Sequence, residues 1–166
     1  MLLKFFSSYP YVVYSIIGWG YIFVFIGVKG FKRLWPISIL SALILFVATY
    51  WLINVGLYKS SITFLPIFGI PFFFILWGAA SGIVFANYFY EKTYQRILSI
   101  LGFSALTLGF EKLVELIKKV EHVGKFTDAH EYVFDVFVLS TLAFLMTNLF
   151  GNRLRKDKNC QRDDKA

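Results

Sequence analysis

The chain contains a series of apolar runs, each about 20 residues long. A hydrocarbon core about 30 Å thick is crossed by about 20 apolar residues in a helix that rises about 1.5 Å per residue. We therefore predict five transmembrane helices, over residues 11–28, 36–57, 66–90, 97–117 and 132–150. The predicted fold class is all-α, with one integral membrane domain over residues 1–151. Residues 152–166 form a basic cytoplasmic tail that we expect to be disordered.

The composition favours a membrane protein over a soluble domain. Hydrophobic residues make up 58% of the chain and charged residues 16%, whereas a soluble domain is about 45–50% apolar and about 25% charged. The net charge is +7, but the bases flank apolar runs, as they do when they fix orientation in a membrane. We therefore expect the lipid bilayer as partner, and neither nucleic acid nor a cofactor. The single cysteine, Cys160, cannot form an internal disulfide, and its spacing indicates no metal site.

The distribution of Lys and Arg predicts the orientation of the bundle. Short connections between spans make neighbouring helices antiparallel, so the first loop, the third loop and the tail share one side. Eleven of the 17 bases lie on that side: Lys29, Lys32, Arg33, Lys92, Arg96, Arg153, Arg155, Lys156, Lys158, Arg162 and Lys165. The positive-inside rule then predicts an outer N-terminus, a cytoplasmic C-terminus and a multi-pass location in the cytoplasmic membrane. Aromatic residues at span ends, such as Trp51 and Tyr88, are expected at headgroup depth.

The third predicted span carries small residues at helical spacing, in the stretch "LPIFGIPFFFILWGAASGIVFAN". Gly78 and Gly82 lie one turn apart, and small residues let two helix backbones approach closely in lipid. We predict a helix-packing face here, which is the first candidate for contact with a second copy or another membrane protein. Pro66 and Pro71 leave open the alternative of a broken helix at a transport site.

The stretch "EKLVELIKKVEHVGKFTDAHEYVFD" brings acidic residues next to hydrocarbon. Counting about 1.5 Å per residue from Arg96 places Glu111 about 22 Å along the fourth span, beneath the outer surface. The same count matches Glu111 in depth with Asp135, and Glu115 with Glu131. A hairpin would join both pairs, because residues four apart share a helix face. The candidate cation, proton or structural cluster is Glu111, Glu115, His130, Glu131 and Asp135.

The fourth helix is predicted to continue beyond the membrane. Glu111, Glu115, Lys118 and His122 fall on one helical stripe, with apolar residues on the opposite stripe. Gly124 would end this amphipathic extension.

Three functions are open. The interpretation we favour is a non-enzymatic structural or accessory membrane component, in which Lys112 and Lys119 neutralise Glu115. A proton- or cation-coupled transporter is the alternative, because neighbouring carboxylates cannot all ionise cheaply in a membrane. The third is an intramembrane metal-dependent hydrolase with His130 as a nitrogen ligand. The sequence has no HExxH, P-loop, CxxC or Ser-elbow motif, so enzyme function has no established signature.

The stretch "GIPFFFILWGAASGIVFANYFYEK", the chain length and the basic tail resemble the small uncharacterised multi-pass membrane proteins of low-GC Gram-positive bacteria. The resemblance covers about the last two-thirds of the chain. It implies a cytoplasmic-membrane location and carries over no activity and no functional residue.

Overall fold

The computed structural model describes residues 9–60, 65–89, 92–116, 120–122 and 127–163. These residues are mostly helical, which confirms the all-α class. The helices are α1 (Pro10–Tyr21), a π-helical segment (Ile22–Ile26), α2 (Gly27–Asn54), α3 (Phe72–Asn87), α4 (Thr93–Leu116) and α5 (Asp128–Asp163). The short strands are β1 (Tyr58–Ser60), β2 (Pro66–Ile67), β3 (Ile70–Pro71) and β4 (Val120–His122). β1 pairs with β4 and β2 with β3, both antiparallel.

Three helical segments within the described residues are long and apolar enough to cross a membrane: Pro10–Asn54, Thr93–Leu116 and Asp128–Phe150. The five predicted spans therefore reappear only in part. The first two lie in the single segment Pro10–Asn54, and the third is the 16-residue helix α3, about 24 Å long. Large apolar side chains are exposed on the outer helices, among them Val24 at 75% and Phe137 at 69%. Apolar surface of this extent suits lipid rather than water.

The segment Pro10–Asn54 reverses direction at Gly27, whose φ of +73° lies in the left-handed region that favours glycine. The Ser15 hydroxyl donates to the Phe73 carbonyl (2.6 Å), and the Ser41 hydroxyl donates to the Gly78 carbonyl (2.9 Å). The two acceptors are about 7.5 Å apart along α3, whereas a straight helix would separate the two serines by about 39 Å. α1 and α2 are therefore antiparallel, and both pack on α3.

The predicted first loop is helical. α2 already begins at Gly27, so Lys29, Lys32 and Arg33 lie in its first two turns. Pro36 consequently lies inside the helix rather than in its first turn, where the sequence placed it. A single glycine turn replaces the longer loop because Gly27 alone supplies the backbone conformation that reverses the chain.

α3 is the central helix of the bundle. Nine of its 16 residues are buried and none is exposed. A β-carbon added at Gly78 would overlap the Leu45 side chain, and one added at Gly82 would overlap Ser41. The two glycines thus let α2 and α3 approach closely, as small residues do between membrane helices. The Gly78/Gly82 face, which we predicted as a contact site for a second copy or another protein, is covered by α2 of the same chain.

The predicted amphipathic extension of the fourth helix is wrong. α4 ends at Leu116, and Val120–His122 form β4, in which His122 pairs with Tyr58. α2 and α4 end at the same end of the bundle, where the strands that follow them, β1 and β4, satisfy each other's backbone hydrogen bonds.

α5 is longer than predicted at both ends. It begins at Asp128, four residues before the expected start, and continues past Gly151 to Asp163. The tail that we expected to be disordered is therefore helical through Asp163, and residues 164–166 lie outside the described part. Lys, Arg and Gln are good helix formers, and extending an existing helix needs no new nucleus.

The bundle has two chemically different ends. At the end that we call the basic end, Leu34, Phe89 and Met146 belong to one hydrophobic cluster, and the Arg96 guanidinium lies 5.2 Å from the centre of the Phe89 ring. At the opposite end, which we call the acidic end, α4 finishes and α5 begins. A second hydrophobic cluster there includes Tyr11, Phe74 and Val114.

Candidate functional site

Three carboxylates meet at the acidic end, between α4 and α5. The side chains of Glu111 and Glu131 lie within hydrogen-bonding reach of each other, and Asp135 lies close enough to both to interact with their charges. Glu131 is only 5% exposed, and Glu111 and Asp135 are half-buried. We call Glu111, Glu131 and Asp135 the carboxylate cluster.

A hydrogen bond between Glu111 and Glu131 would need a proton. Two ionised carboxylates offer only acceptors, so these two side chains can bond to each other only when one of them carries a hydrogen. Asp135 adds a third negative charge nearby, which raises the cost of ionising all three groups inside a bundle. A proton held by such closely coupled acids belongs to the cluster rather than to one residue.

Asp135 forms the innermost part of the cluster. The Thr107 hydroxyl lies within hydrogen-bonding reach of Asp135 and also 2.8 Å from the Phe103 carbonyl oxygen of its own helix. A hydroxyl has one hydrogen to donate, so Thr107 can serve an ionised Asp135 or turn back to its own helix. Oδ2 of Asp135 is buried and makes no hydrogen bond within the part of the chain that the structure describes.

A small cavity adjoins Asp135. Its volume is about 50 Å³, and its lining includes Ser41, Ser81, Thr107 and Asp135. We call it the polar cavity. A polar cavity above about 10–15 Å³ can hold a water molecule if two to four polar groups surround it. The rest of the lining is mostly apolar, so the cavity brings Asp135 and three hydroxyl groups together in an otherwise apolar part of the bundle.

Glu115 lies at the rim rather than in the cluster. Its carboxylate pairs with Lys112, which also contacts Asp128 at 2.5 Å. Glu115 is thus level with Asp128, whereas the sequence matched it with Glu131. Because α5 begins four residues earlier than predicted, Asp128 is part of the helix and contacts the same lysine as Glu115. These three rim side chains are between 34% and 59% exposed, and their pairing is an ordinary partly solvated ion-pair network.

His130 also lies apart from the cluster. It is exposed in the first turn of α5, where its Nδ1 accepts a hydrogen bond from the Thr127 backbone N–H (3.3 Å) and lies 2.7 Å from the Thr127 hydroxyl oxygen. Among the described residues, no three His, Cys, Asp or Glu side chains are arranged to hold a metal ion. The nitrogen ligand that a metal-dependent hydrolase would need is therefore not brought to the carboxylates.

A second, larger cavity lies between α1, α3 and α4. Its volume is about 310 Å³, and we call it the aromatic groove. Six aromatic residues contribute to its lining: Tyr14, Tyr21, Trp77, Tyr88, Phe103 and Phe110. Trp77, Ser81 and Thr107 line both the groove and the polar cavity, so the two spaces adjoin. Sequence reasoning missed the groove, because its rings come from three helices with no shared spacing.

No protein-family model matches this chain, and neither a curated protein nor a solved structure shows significant similarity to it.

Proposed function

We propose that this chain is a five-span protein of the cytoplasmic membrane that binds and exchanges a proton at Glu111, Glu131 and Asp135, as a proton-coupled transporter does. The observation that carries this proposal is the approach of three carboxyl groups inside the bundle: Glu111 and Glu131 lie within hydrogen-bonding reach of each other and Asp135 lies beside them. Two such carboxyl groups can bond to each other only when the pair holds a proton. Ionisable groups inside membrane bundles commonly mark such proton pathways.

The course of the chain supports five crossings. α1 and α3 run toward the basic end, whereas α2 and α4 run away from it, as the contacts of Ser15 and Ser41 with α3 require for the first three. α3 is shorter than a full span, but α1 and α2 cover it, so its ends need not meet lipid. With the basic end in the cytoplasm, the positive-inside rule orients the N-terminus outward and the carboxylate cluster toward the outer half of the membrane.

The layers of polar groups suggest a route for the proton. The rim formed by Lys112, Glu115 and Asp128 is in contact with the outer aqueous side. Next come the buried Glu131 and its partner Glu111, followed by Asp135 and the Thr107 hydroxyl. When Asp135 gains a proton, its need for the Thr107 hydrogen disappears, and that hydroxyl is free to return to the Phe103 carbonyl.

The salt-bridged helix end that we favoured from the sequence accounts for only part of this region. Lys112 neutralises Glu115 and Asp128 at the rim. Glu111, Glu131 and Asp135 instead face one another, which adds like-charge repulsion to the cost of burial. An arrangement that costs stability in this way favours proton binding over a purely structural role.

Infrared spectroscopy of the purified protein tests the proposal. A protonated carboxylic acid has a carbonyl band that a carboxylate lacks, and we expect this band at neutral pH in the wild type. The triple variant Glu111→Gln/Glu131→Gln/Asp135→Asn should lose it, whereas Glu115→Gln, at the rim, should keep it. The single variant Glu131→Gln serves if the triple variant does not fold, and it should shift the pH at which the band disappears. A wild type without the band, or a folded cluster variant that retains it unchanged, would overturn the proposal.

A further inference from the structure

The aromatic groove has the size and rigidity of a small-molecule site. Its volume of about 310 Å³ lies at the lower end of the range of about 300–1,000 Å³ typical of ligand pockets. The rings of Tyr14, Trp77 and Phe110 contact one another, with centroid separations of 6.2, 5.0 and 6.0 Å for Tyr14–Trp77, Tyr14–Phe110 and Trp77–Phe110. The Tyr14 hydroxyl donates to the Phe110 carbonyl (3.1 Å), which fixes its ring. A wall held in place in this way needs little ordering when a ligand binds.

The charge of the site selects a cation. Aromatic faces carry partial negative charge and attract cations within about 6 Å. The groove adjoins the polar cavity, where Asp135 contributes a carboxylate. Among the described residues that line the two cavities, none is basic. A positively charged ligand therefore meets aromatic faces and a carboxylate there, and no basic side chain of these linings competes with it.

The mouth of the groove faces hydrocarbon. Ile17 and Leu106 line the groove and are 58% and 54% exposed on the outer surface of the bundle. A ligand that enters here comes from the lipid, so it must itself dissolve in the membrane. These three features narrow the ligand class to a cation with apolar or aromatic substituents.

We propose that the aromatic groove and the polar cavity together bind a lipophilic organic cation, with its apolar groups against Tyr14, Trp77 and Phe110 and its charge toward Asp135. This inference rests on the proposed proton site and names the ligand that exchanges with the proton. As the cation binds, the protonated cluster releases one proton to water and thereby gains one negative charge, which offsets the charge of the cation. The total charge is conserved in this exchange. By thermodynamic linkage, the cation lowers the affinity for the proton by the same factor as the proton lowers the affinity for the cation.

Calorimetry with tetraphenylphosphonium, a lipophilic cation, tests this inference on the full-length protein in detergent. We expect saturable binding with release of about one proton per cation, so affinity should rise about tenfold per pH unit while the cluster is protonated. Asp135→Asn should weaken binding at least tenfold and abolish proton release. Neutral compounds of similar shape, such as tetraphenylmethane, should show no saturable binding.

Two groove variants and one control locate the site. Trp77→Leu removes the central ring, and Leu106→Trp fills the exposed mouth without disturbing a buried position; both should weaken binding at least tenfold. Trp51→Leu is the matched control, because Trp51 is an exposed tryptophan on α2 that does not line the groove, and it should bind as the wild type does. If Trp77→Leu does not fold, Leu106→Trp still tests whether the cation binds in the aromatic groove.

The possible failures are distinguishable. If tetraphenylphosphonium does not bind while the infrared band of the protonated cluster is present, the cation site is wrong and the proton site stands. If binding is equally strong in Asp135→Asn and Leu106→Trp, the cation merely partitions into the detergent, and the inference is again wrong. If neither the band nor binding is found, both proposals fall.

Discussion

Two helix interfaces in this bundle are built in opposite ways. Between α2 and α3, Gly78 and Gly82 bring the backbones together, and the Ser41 hydroxyl is satisfied by the Gly78 carbonyl at 2.9 Å. Between α4 and α5, acidic side chains face one another beside a cavity. Close packing and the hydrogen bond from Ser41 to the Gly78 carbonyl stabilise the first interface. The second bears the cost of burying carboxyl groups, which stability alone does not explain.

The two interfaces meet at the polar cavity. Ser41 and Gly78 line it from the tight side, and Thr107 and Asp135 from the acidic side. The close α2–α3 contact therefore also fixes one wall of the space next to Asp135. The closely packed α2–α3 interface thus holds part of the surroundings of the acidic α4–α5 interface in place. We expect substitutions in the first interface to lower thermal stability, and substitutions in the second to change how stability depends on pH.

Gly82→Leu should have the largest effect on stability. The new side chain overlaps Ser41 and approaches the Ile37 carbonyl, so α2 and α3 must separate. Overpacking of this kind costs about 1–3 kcal/mol or more, which thermal unfolding in detergent would measure as a lower midpoint. Gly102→Leu is the control, because a β-carbon at Gly102 meets nothing within 4 Å. Equal losses in the two variants would contradict the tight interface.

Stability should fall as pH rises, because of the acidic interface. Under the proposed function, the folded cluster holds a proton that the carboxylates of the unfolded chain have already lost at neutral pH, so the unfolded state binds fewer protons. The free energy of unfolding should then decrease by up to about 1.4 kcal/mol per pH unit for one proton. The triple variant Glu111→Gln/Glu131→Gln/Asp135→Asn should show a flatter dependence in denaturation at several pH values. A wild type that gains stability over the same pH range would contradict a shared proton.

Ser41→Ala should have an intermediate effect. It removes the buried hydrogen bond to the Gly78 carbonyl and should cost about 1 kcal/mol. Thr141→Ala provides the comparison, because the Thr141 hydroxyl donates within its own helix to Phe137 at an exposed position, and we expect nearly no change there. If both variants unfold at the wild-type temperature, the hydroxyl does not contribute to the α2–α3 interface.

Lys112→Met should have the smallest effect. It removes the contacts with Glu115 and Asp128 at the partly exposed rim, where ion pairs contribute about 0–1 kcal/mol. The infrared band of the protonated cluster should remain. A loss of that band would show that the rim and the cluster form one electrostatic unit, contrary to the separation described above.

The sequence predicted the helical class because apolar runs of membrane length leave few alternatives. Depth counting also brought Glu111, Glu131 and Asp135 to one region, since a helical hairpin fixes which residues share a level. Depth counting did not predict that Glu115 and Asp128 share a lysine, because a sequence marks the start of a helix poorly and α5 begins at Asp128.

Other features depend on tertiary structure that no local pattern encodes. The reversal at Gly27 occupies a single residue within a helical segment, so it has no loop composition to reveal it. Tyr14 and Phe110 are 96 positions apart and meet only because α1 and α4 pack on α3. The polar cavity likewise combines residues from α2, α3, α4 and α5.

The shared proton can be counted directly by acid–base titration of the folded protein. The titration of exposed carboxylates is complete by about pH 5.5. Between about pH 5.5 and 9 the wild type should therefore release about one more proton per chain than the folded triple variant Glu111→Gln/Glu131→Gln/Asp135→Asn. Both histidines are present in the two proteins and cancel in the difference. A difference of about one proton supports a proton-binding carboxylate cluster. Identical titration curves would mean that the three carboxylates are fully ionised in the folded protein, which contradicts the proposed proton site.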